Sequence, residues 1–142
     1  MGDLKLQVRS SFRTEMFAAG LYAVLANQCS RKNALLSERL REVSEQEAMH
    51  GRLFRQYYRN SYNEEPGSEK LWTAIGKFAG GMTKFVSLEK KLKSLSEKES
   101  AAVQKIEAKL KCDDDPSYLK ILKRILPDEV SHAAVYGEVF TQ

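Results

Sequence analysis

The chain has 142 residues, a length that suits one domain with a packed core and is too short for two, so we expect a single domain over residues 1–142. Hydrophobic residues make up 42% and charged residues 30%, which excludes a disordered chain, and the net charge of +4 is too modest and too evenly spread to indicate nucleic-acid binding. No secretion leader and no apolar run of about 20 residues is visible, so we expect a cytoplasmic protein without a transmembrane segment.

Helical periodicity dominates the sequence, and no segment alternates between apolar and polar residues as a strand would, so the predicted class is all-α. The pair Pro66-Gly67 ends the second helix, and Asp115 followed by Pro116 is typical of a helix start. Pro127, inside the last helix, is expected to kink it. The predicted helices run from about Leu6 to Cys29, Ala34 to Tyr62, Leu71 to Leu88, Leu88 to Lys111 and Pro116 to Phe140.

The third of these helices is amphipathic and allows two interpretations. Large apolar residues, among them Leu71, Ile75, Phe78 and Met82, share one face, and lysines lie elsewhere on its surface. Such a helix either covers the bundle as a crossover or lies on an anionic membrane surface. We favour the crossover, because the core needs this apolar face as much as a membrane would.

The apolar stripes of the other four helices are interrupted by charged residues that fall in phase with the buried positions. A carboxylate in a packed interior is costly unless it is neutralised, and four clustered carboxylates would repel one another. Divalent cations remove that cost, and a glutamate three residues before a histidine shares a helix face with it. We therefore predict a two-metal site formed by Glu15, Glu47, His50, Glu99, Glu129 and His132.

The candidate ligands recur in two similar hairpins. The segment from Glu15 reads E-x-x-A-x-x-x-Y and begins 32 residues before Glu47, while the segment from Glu99 reads E-x-x-A-x-x-x-I and begins 30 residues before Glu129. Glu97 lies 32 residues before Glu129 and matches the first interval better, but only Glu99 lies on the apolar stripe. We prefer Glu99 because side-chain direction matters more than the interval, and keep Glu97 as the alternative.

The pattern E-x-x-A-x-x-x-Y followed by E-x-x-H resembles that of rubrerythrin and other ferritin-like di-iron carboxylate proteins, over nearly the whole chain. The resemblance implies a ferritin-like antiparallel four-helix bundle with an extra amphipathic helix between two ligand hairpins. It implies two iron ions, although manganese would suit the same ligands. It assigns Glu15 with His50 to one iron and Glu99 with His132 to the other, with Glu47 and Glu129 as bridges.

The activity that the resemblance implies is oxidoreduction, in which a reduced iron pair reacts with dioxygen or hydrogen peroxide. Cys29 and Cys112 form no C-x-x-C pair, which excludes a rubredoxin-type site within the chain, so electrons would come from a separate donor. Ile106 stands where the family pattern leads one to expect a tyrosine, so a tyrosine role near the second iron is not expected.

Two alternatives to this activity stay open. The glycine-containing stretch of the third helix is similar to segments of demethoxyubiquinone hydroxylases and of the ferritin-like domains of iron-transporter relatives. The first alternative is therefore hydroxylation of a quinone-type substrate, and the second is non-catalytic iron binding and delivery. A homodimer would also be compatible with the resemblance.

Overall fold

The computed structural model describes residues 3–112 and 114–140, and all regular structure within these ranges is helical. The helices are α1 (Leu4–Cys29), α2 (Ala34–Tyr62), α3 (Glu69–Met82), α4 (Leu88–Leu110), α5 (Pro116–Ala133) and α6 (Val135–Phe140). The predicted all-α class is confirmed, and the helix content and order are those of a ferritin-like bundle. The chain divides into two compact units, Met1–Lys84 and Phe85–Gln142, and the single domain stays a prediction.

The first five helices all begin after a polar residue whose side chain accepts a hydrogen bond from a backbone N–H of the first turn. These bonds satisfy donors that have no partner within the helix. Pro116 occupies the first turn of α5, as predicted, where its missing N–H costs nothing. The capping residues are Asp3, Asn33, Ser68, Ser87 and Asp115.

The third helix is shorter than predicted, because α3 ends at Met82 instead of continuing to Leu88. Two successive glycines, which are poor helix formers, lie in its last turn. The Thr83 N–H donates to the Gly80 carbonyl at 3.2 Å and closes the helix. Ser87 is extended and caps the next helix, so one continuous helix through this segment is excluded.

The last helix is interrupted where a continuous one was predicted. α5 ends at Ala133, and the Ala134 N–H donates to the Ser131 carbonyl at 3.2 Å. This bond spans three residues instead of four, so the chain turns more tightly than in an α-helix. α6 then begins at Val135. Pro127 lies inside α5, which continues past it, and the kink expected there stays a prediction.

In the first unit, α1 packs against both α2 and α3. Large apolar residues at helical spacing fill the interior of this unit. Their burial is what holds the ligand-bearing segments of α1 and α2 together. The most deeply buried are Val8, Phe12, Met16, Leu25, Leu40, Val43, Phe54 and Tyr58.

The contact between α1 and α3 depends on glycine. A Cβ atom at Gly20 would lie 2.1 Å from the carbonyl oxygen of Thr73, and one at Gly76 would lie 1.9 Å from the carbonyl oxygen of Phe17. Any side chain larger than hydrogen would therefore collide with the backbone of the other helix. The two backbones meet at this point, and α3 turns its small residues toward α1.

This packing corrects the prediction that the apolar face of the third helix serves the core. Gly76 and Gly80 are the buried residues of α3, while the large apolar side chains are exposed. The hydrophobic period was identified correctly, but it marks the face that points away from α1. The exposed residues are Leu71, Ile75, Phe78 and Met82, followed by Phe85 and Val86 beyond the helix.

In the second unit, α4 packs against α5 and α6. The buried apolar residues of the unit include Ile106, at the position where a tyrosine was expected from the family pattern. Across the described ranges, no helix is both long enough and apolar enough to cross a membrane. The cytoplasmic location stays a prediction. The buried apolar residues of this unit are Leu92, Ile106, Tyr118, Leu122, Ile125 and Val135.

Candidate metal centre

The first unit brings three of the predicted ligands together. Glu15 comes from the middle of α1, and Glu47 and His50 come from adjacent turns of α2. Glu47 is 2% exposed and His50 is fully buried, while the Glu15 side chain retains 13% of its exposure. The His50 Nδ1 atom lies 3.7 Å from Glu15 Oε2, and one ligand atom from each of the three residues lies within 4.8 Å of the others. We refer to these three residues as the first trio.

The second unit brings together the other three. Glu99 comes from α4, and Glu129 and His132 come from α5. All three are buried, and the His132 Nδ1 atom lies 4.0 Å from Glu99 Oε2 and 3.9 Å from Glu129 Oε1. One ligand atom from each residue again lies within 4.8 Å of the others. We refer to these residues as the second trio.

Glu97 and Glu99, the two alternative ligands on α4, differ in their burial. Glu99 is buried beside His132, whereas Glu97 is exposed. The two residues are two positions apart in α4 and point to nearly opposite sides of it, so their difference in burial follows from the helical phase. Metal ligation by Glu99, as by the other five residues, stays a prediction.

A serine hydroxyl ties the two ligand-bearing helices together in each unit. Ser44, three residues before Glu47, donates to the carbonyl oxygen of Ala19 at 2.6 Å, which links α2 to α1. Ser96, three residues before Glu99, donates to the carbonyl oxygen of Ala133 and links α4 to α5. These bonds lie within one turn of the candidate ligands and were missed from the sequence. The only available signal was a serine on the buried side of each helix.

A glycine leaves room for a buried methionine between α1 and α2 at the level of the first trio. Gly51 follows His50, and a Cβ atom there would lie 2.5 Å from the terminal methyl carbon of Met16, which follows Glu15. Met16 is 1% exposed, so its side chain is buried in the space beside Gly51. A flexible methionine side chain therefore packs against the backbone of α2 next to the first trio.

The chemistry of each trio suits one divalent cation. Two ionised glutamates carry two negative charges and a neutral histidine adds a nitrogen donor, so a single M²⁺ ion balances the charge of a trio. The burial of these groups makes that balance important, because clustered carboxylates are costly in a dry interior. Carboxylate oxygen and imidazole nitrogen together suit iron, manganese and zinc rather than calcium or magnesium. The residues present therefore fit a transition-metal site.

Both cysteines are free and lie outside this chemistry. Cys29 is buried, and burial raises the pKa of its thiol, which makes the reactive thiolate scarce. Cys112 is exposed. Among the residues that the structure describes, neither thiol belongs to a group that could hold a metal ion.

Comparison with known proteins identifies one family. The family model described as rubrerythrin matches residues 7–139, which covers both trios. No curated protein and no solved structure shows significant similarity to the chain.

Proposed function

Because the chain belongs to the rubrerythrin family, we propose that its two trios hold a pair of iron ions and that the protein reduces hydrogen peroxide or dioxygen. The observation that carries the proposal is two sets of two glutamates and one histidine, buried except for Glu15, with each set within reach of one cation. Manganese in place of iron is compatible with the same ligands. Electrons would be supplied by a separate donor protein.

Each of the six residues has a role in the proposed metal pair. Glu15 with His50, and Glu99 with His132, would be terminal ligands of one ion each, and Glu47 and Glu129 would bridge the pair, as the resemblance to the family implies. A bound iron pair supplies the reversible change between ferrous and ferric states that peroxide or dioxygen reduction requires. The protein keeps bulk water from the buried carboxylates and holds each imidazole with Nδ1 toward them.

Metal content tests the proposal most directly. The chain purified after expression in iron-rich medium, and separately after anaerobic loading with ferrous iron, should contain about two iron atoms per chain by elemental analysis. The loaded, reduced protein should then consume hydrogen peroxide repeatedly when a chemical reductant is supplied. Less than one metal per chain in both preparations would refute the proposal.

Three glutamate variants sharpen the test. Glu47→Gln removes a proposed bridging charge and should lower the occupancy of both ions, whereas Glu15→Gln should chiefly lower the occupancy of one. Glu45→Gln is the matched control, because Glu45 is exposed on α2 two residues before Glu47. Stoichiometric iron binding without repeated peroxide consumption would favour iron storage or delivery instead of catalysis. Equal, small losses in all three variants would contradict the assignment of ligands.

A further inference from the structure

A row of rings leads away from the first trio along one side of α2. His50, Phe54, Tyr58 and Tyr62 follow one another at intervals of four residues, so each lies one turn beyond the last. Phe54 is 2% exposed and Tyr58 is fully buried, while Tyr62 is partly exposed at the end of the helix. At a rise of about 1.5 Å per residue, Tyr58 lies about 12 Å along the helix from His50. The row therefore extends from the candidate metal centre to the surface.

Tyr58 and Tyr62 are in contact through their rings, and we call them the tyrosine pair. Their ring centroids lie 4.9 Å apart at an interplanar angle of 63°, which is an edge-on arrangement. A phenol can give up an electron together with its hydroxyl proton, whereas the phenylalanine of this row has no such proton. Two phenols in contact can pass an electron from one to the other, so the buried tyrosine has a neighbour that reaches solvent.

Two cations and a carboxylate surround Tyr58. The Arg9 guanidinium lies 5.4 Å from the centroid of its ring, and the Lys5 ammonium lies 6.0 Å from it. Arg9 also donates a hydrogen bond to the Tyr58 hydroxyl, which itself donates to Glu64 Oε2 at 3.4 Å. Positive charges this close disfavour an oxidised ring that keeps its proton, because such a ring is itself a cation. Oxidation of Tyr58 therefore requires loss of the phenolic proton, and Glu64 is placed to accept it.

Lys5 keeps Glu64 in the state that accepts a proton. The Lys5 ammonium lies 2.9 Å from Glu64 Oε2, and this hydrogen-bonded ion pair lowers the pKa of Glu64. The carboxylate is therefore ionised at neutral pH. Its side chain is 51% exposed, so a proton that it receives from Tyr58 can pass on to water.

We propose that the tyrosine pair supplies electrons for the reduction of dioxygen when no donor protein is bound. Reduction of dioxygen to two water molecules takes four electrons and four protons, and a change of the iron pair from ferrous to ferric supplies two of the electrons. Tyr58 and Tyr62 supply one electron each and become tyrosyl radicals. Tyr58 releases its phenolic proton to Glu64, Tyr62 releases its own to solvent, and solvent supplies the other two protons. This inference rests on the proposed function.

Freeze-quench electron paramagnetic resonance tests the inference. The iron-loaded, reduced protein is mixed with dioxygen without any donor, and the iron content of the same sample is measured. The natural protein should give a tyrosyl radical signal. Tyr58→Phe should abolish this signal, whereas Tyr62→Phe should leave a radical on Tyr58 alone.

The two measurements separate this inference from the proposed function. A protein that holds its iron and consumes dioxygen without forming a tyrosyl radical would refute the role of the tyrosine pair and leave the proposed function standing. A protein that takes up no iron would refute both.

Glu64→Gln tests the proton transfer with little risk to folding, because the replaced side chain is half-exposed. The variant should form the radical more slowly, since an amide does not take up the phenolic proton. Glu65→Gln is the matched control, because Glu65 is the next residue and pairs with Arg55 at 2.9 Å instead of with Tyr58. Equal rates of radical formation in the two variants would contradict proton transfer to Glu64.

Tyr22 is the rival source of electrons. It is 2% exposed and lies on α1, seven residues after Glu15. Tyr22→Phe should leave the radical signal in place. A signal that survives in Tyr58→Phe and disappears in Tyr22→Phe would overturn the assignment. Circular dichroism of the metal-free variants distinguishes loss of the radical from loss of folding.

Discussion

Replacing Glu47 with glutamine should stabilise the metal-free protein and destabilise the metal-loaded one. Glutamine keeps the shape of the side chain, so no cavity is created, and the main change is the loss of one buried charge. The ligand oxygens of Glu47 and Glu15 lie within 4.8 Å of each other. With an effective dielectric constant of about 20, two full charges at that distance repel by about 3 kcal/mol. Glu15 keeps some contact with solvent, which reduces this value.

We therefore expect the free energy of unfolding of the metal-free Glu47→Gln protein to rise by about 1–3 kcal/mol. For a chain of this size, that corresponds to an increase in the unfolding temperature of roughly 3–10 °C. Thermal unfolding followed by circular dichroism at about pH 8, where an ordinary histidine is neutral, measures it in the presence of a chelator. With ferrous iron added, the natural protein should gain stability through binding and the variant should gain much less.

The control for this experiment is Glu45→Gln, which removes an exposed charge from the same helix. It should change the unfolding temperature little, with or without metal. A metal-free Glu47→Gln protein that is clearly less stable than the natural one would refute the reasoning, because it would mean that the carboxylate is stabilised by its surroundings. An equal response of both variants to iron would refute it as well.

Three further results are expected. Gly76→Ala should lower the free energy of unfolding, measured in urea, by about 1–3 kcal/mol, because the added methyl group meets the backbone of α1. The control Gly81→Ala should be neutral or slightly stabilising, because no atom lies within 4 Å of the added carbon. Ser44→Ala should lower the free energy of unfolding by about 1 kcal/mol in the same assay and weaken iron binding, because it removes the 2.6 Å hydrogen bond that links α2 to α1. Unchanged iron affinity would argue against a positioning role for Ser44. Maleimide should alkylate Cys112 rapidly in the folded protein and Cys29 only on unfolding, and mass spectrometry measures both rates. Equal rates would contradict the burial of Cys29.

The sequence predicted the long helices well because their signals are local. Capping residues such as Asn33 and Asp115 fix where helices begin, and the helical phase of each apolar stripe fixes which side is buried. The same phase brought Glu47 next to His50, and Glu129 next to His132, on the inward side of α2 and α5. Each of these inferences needs only residues within a few turns of one another.

The orientation of α3 could not be obtained in this way. Periodicity reveals that a helix has an apolar side, but it cannot reveal whether that side or a row of small residues meets the neighbouring helix. Here the decisive contact joins Gly76 to the backbone at Phe17, residues that are far apart in the chain. The bonds of Ser44 and Ser96 were missed for the same reason, since each one ends on a carbonyl of another helix.

The confinement of each trio to one unit bears on how the protein acquires metal during synthesis. Glu15, Glu47 and His50 all precede residue 84, so the ribosome has delivered these three donors before it makes α4. Under the proposed function, a nascent chain with only its first unit folded already has somewhere to capture a cation. The metal available during translation would then influence how much newly made protein folds fully, because the first hairpin emerges before the second.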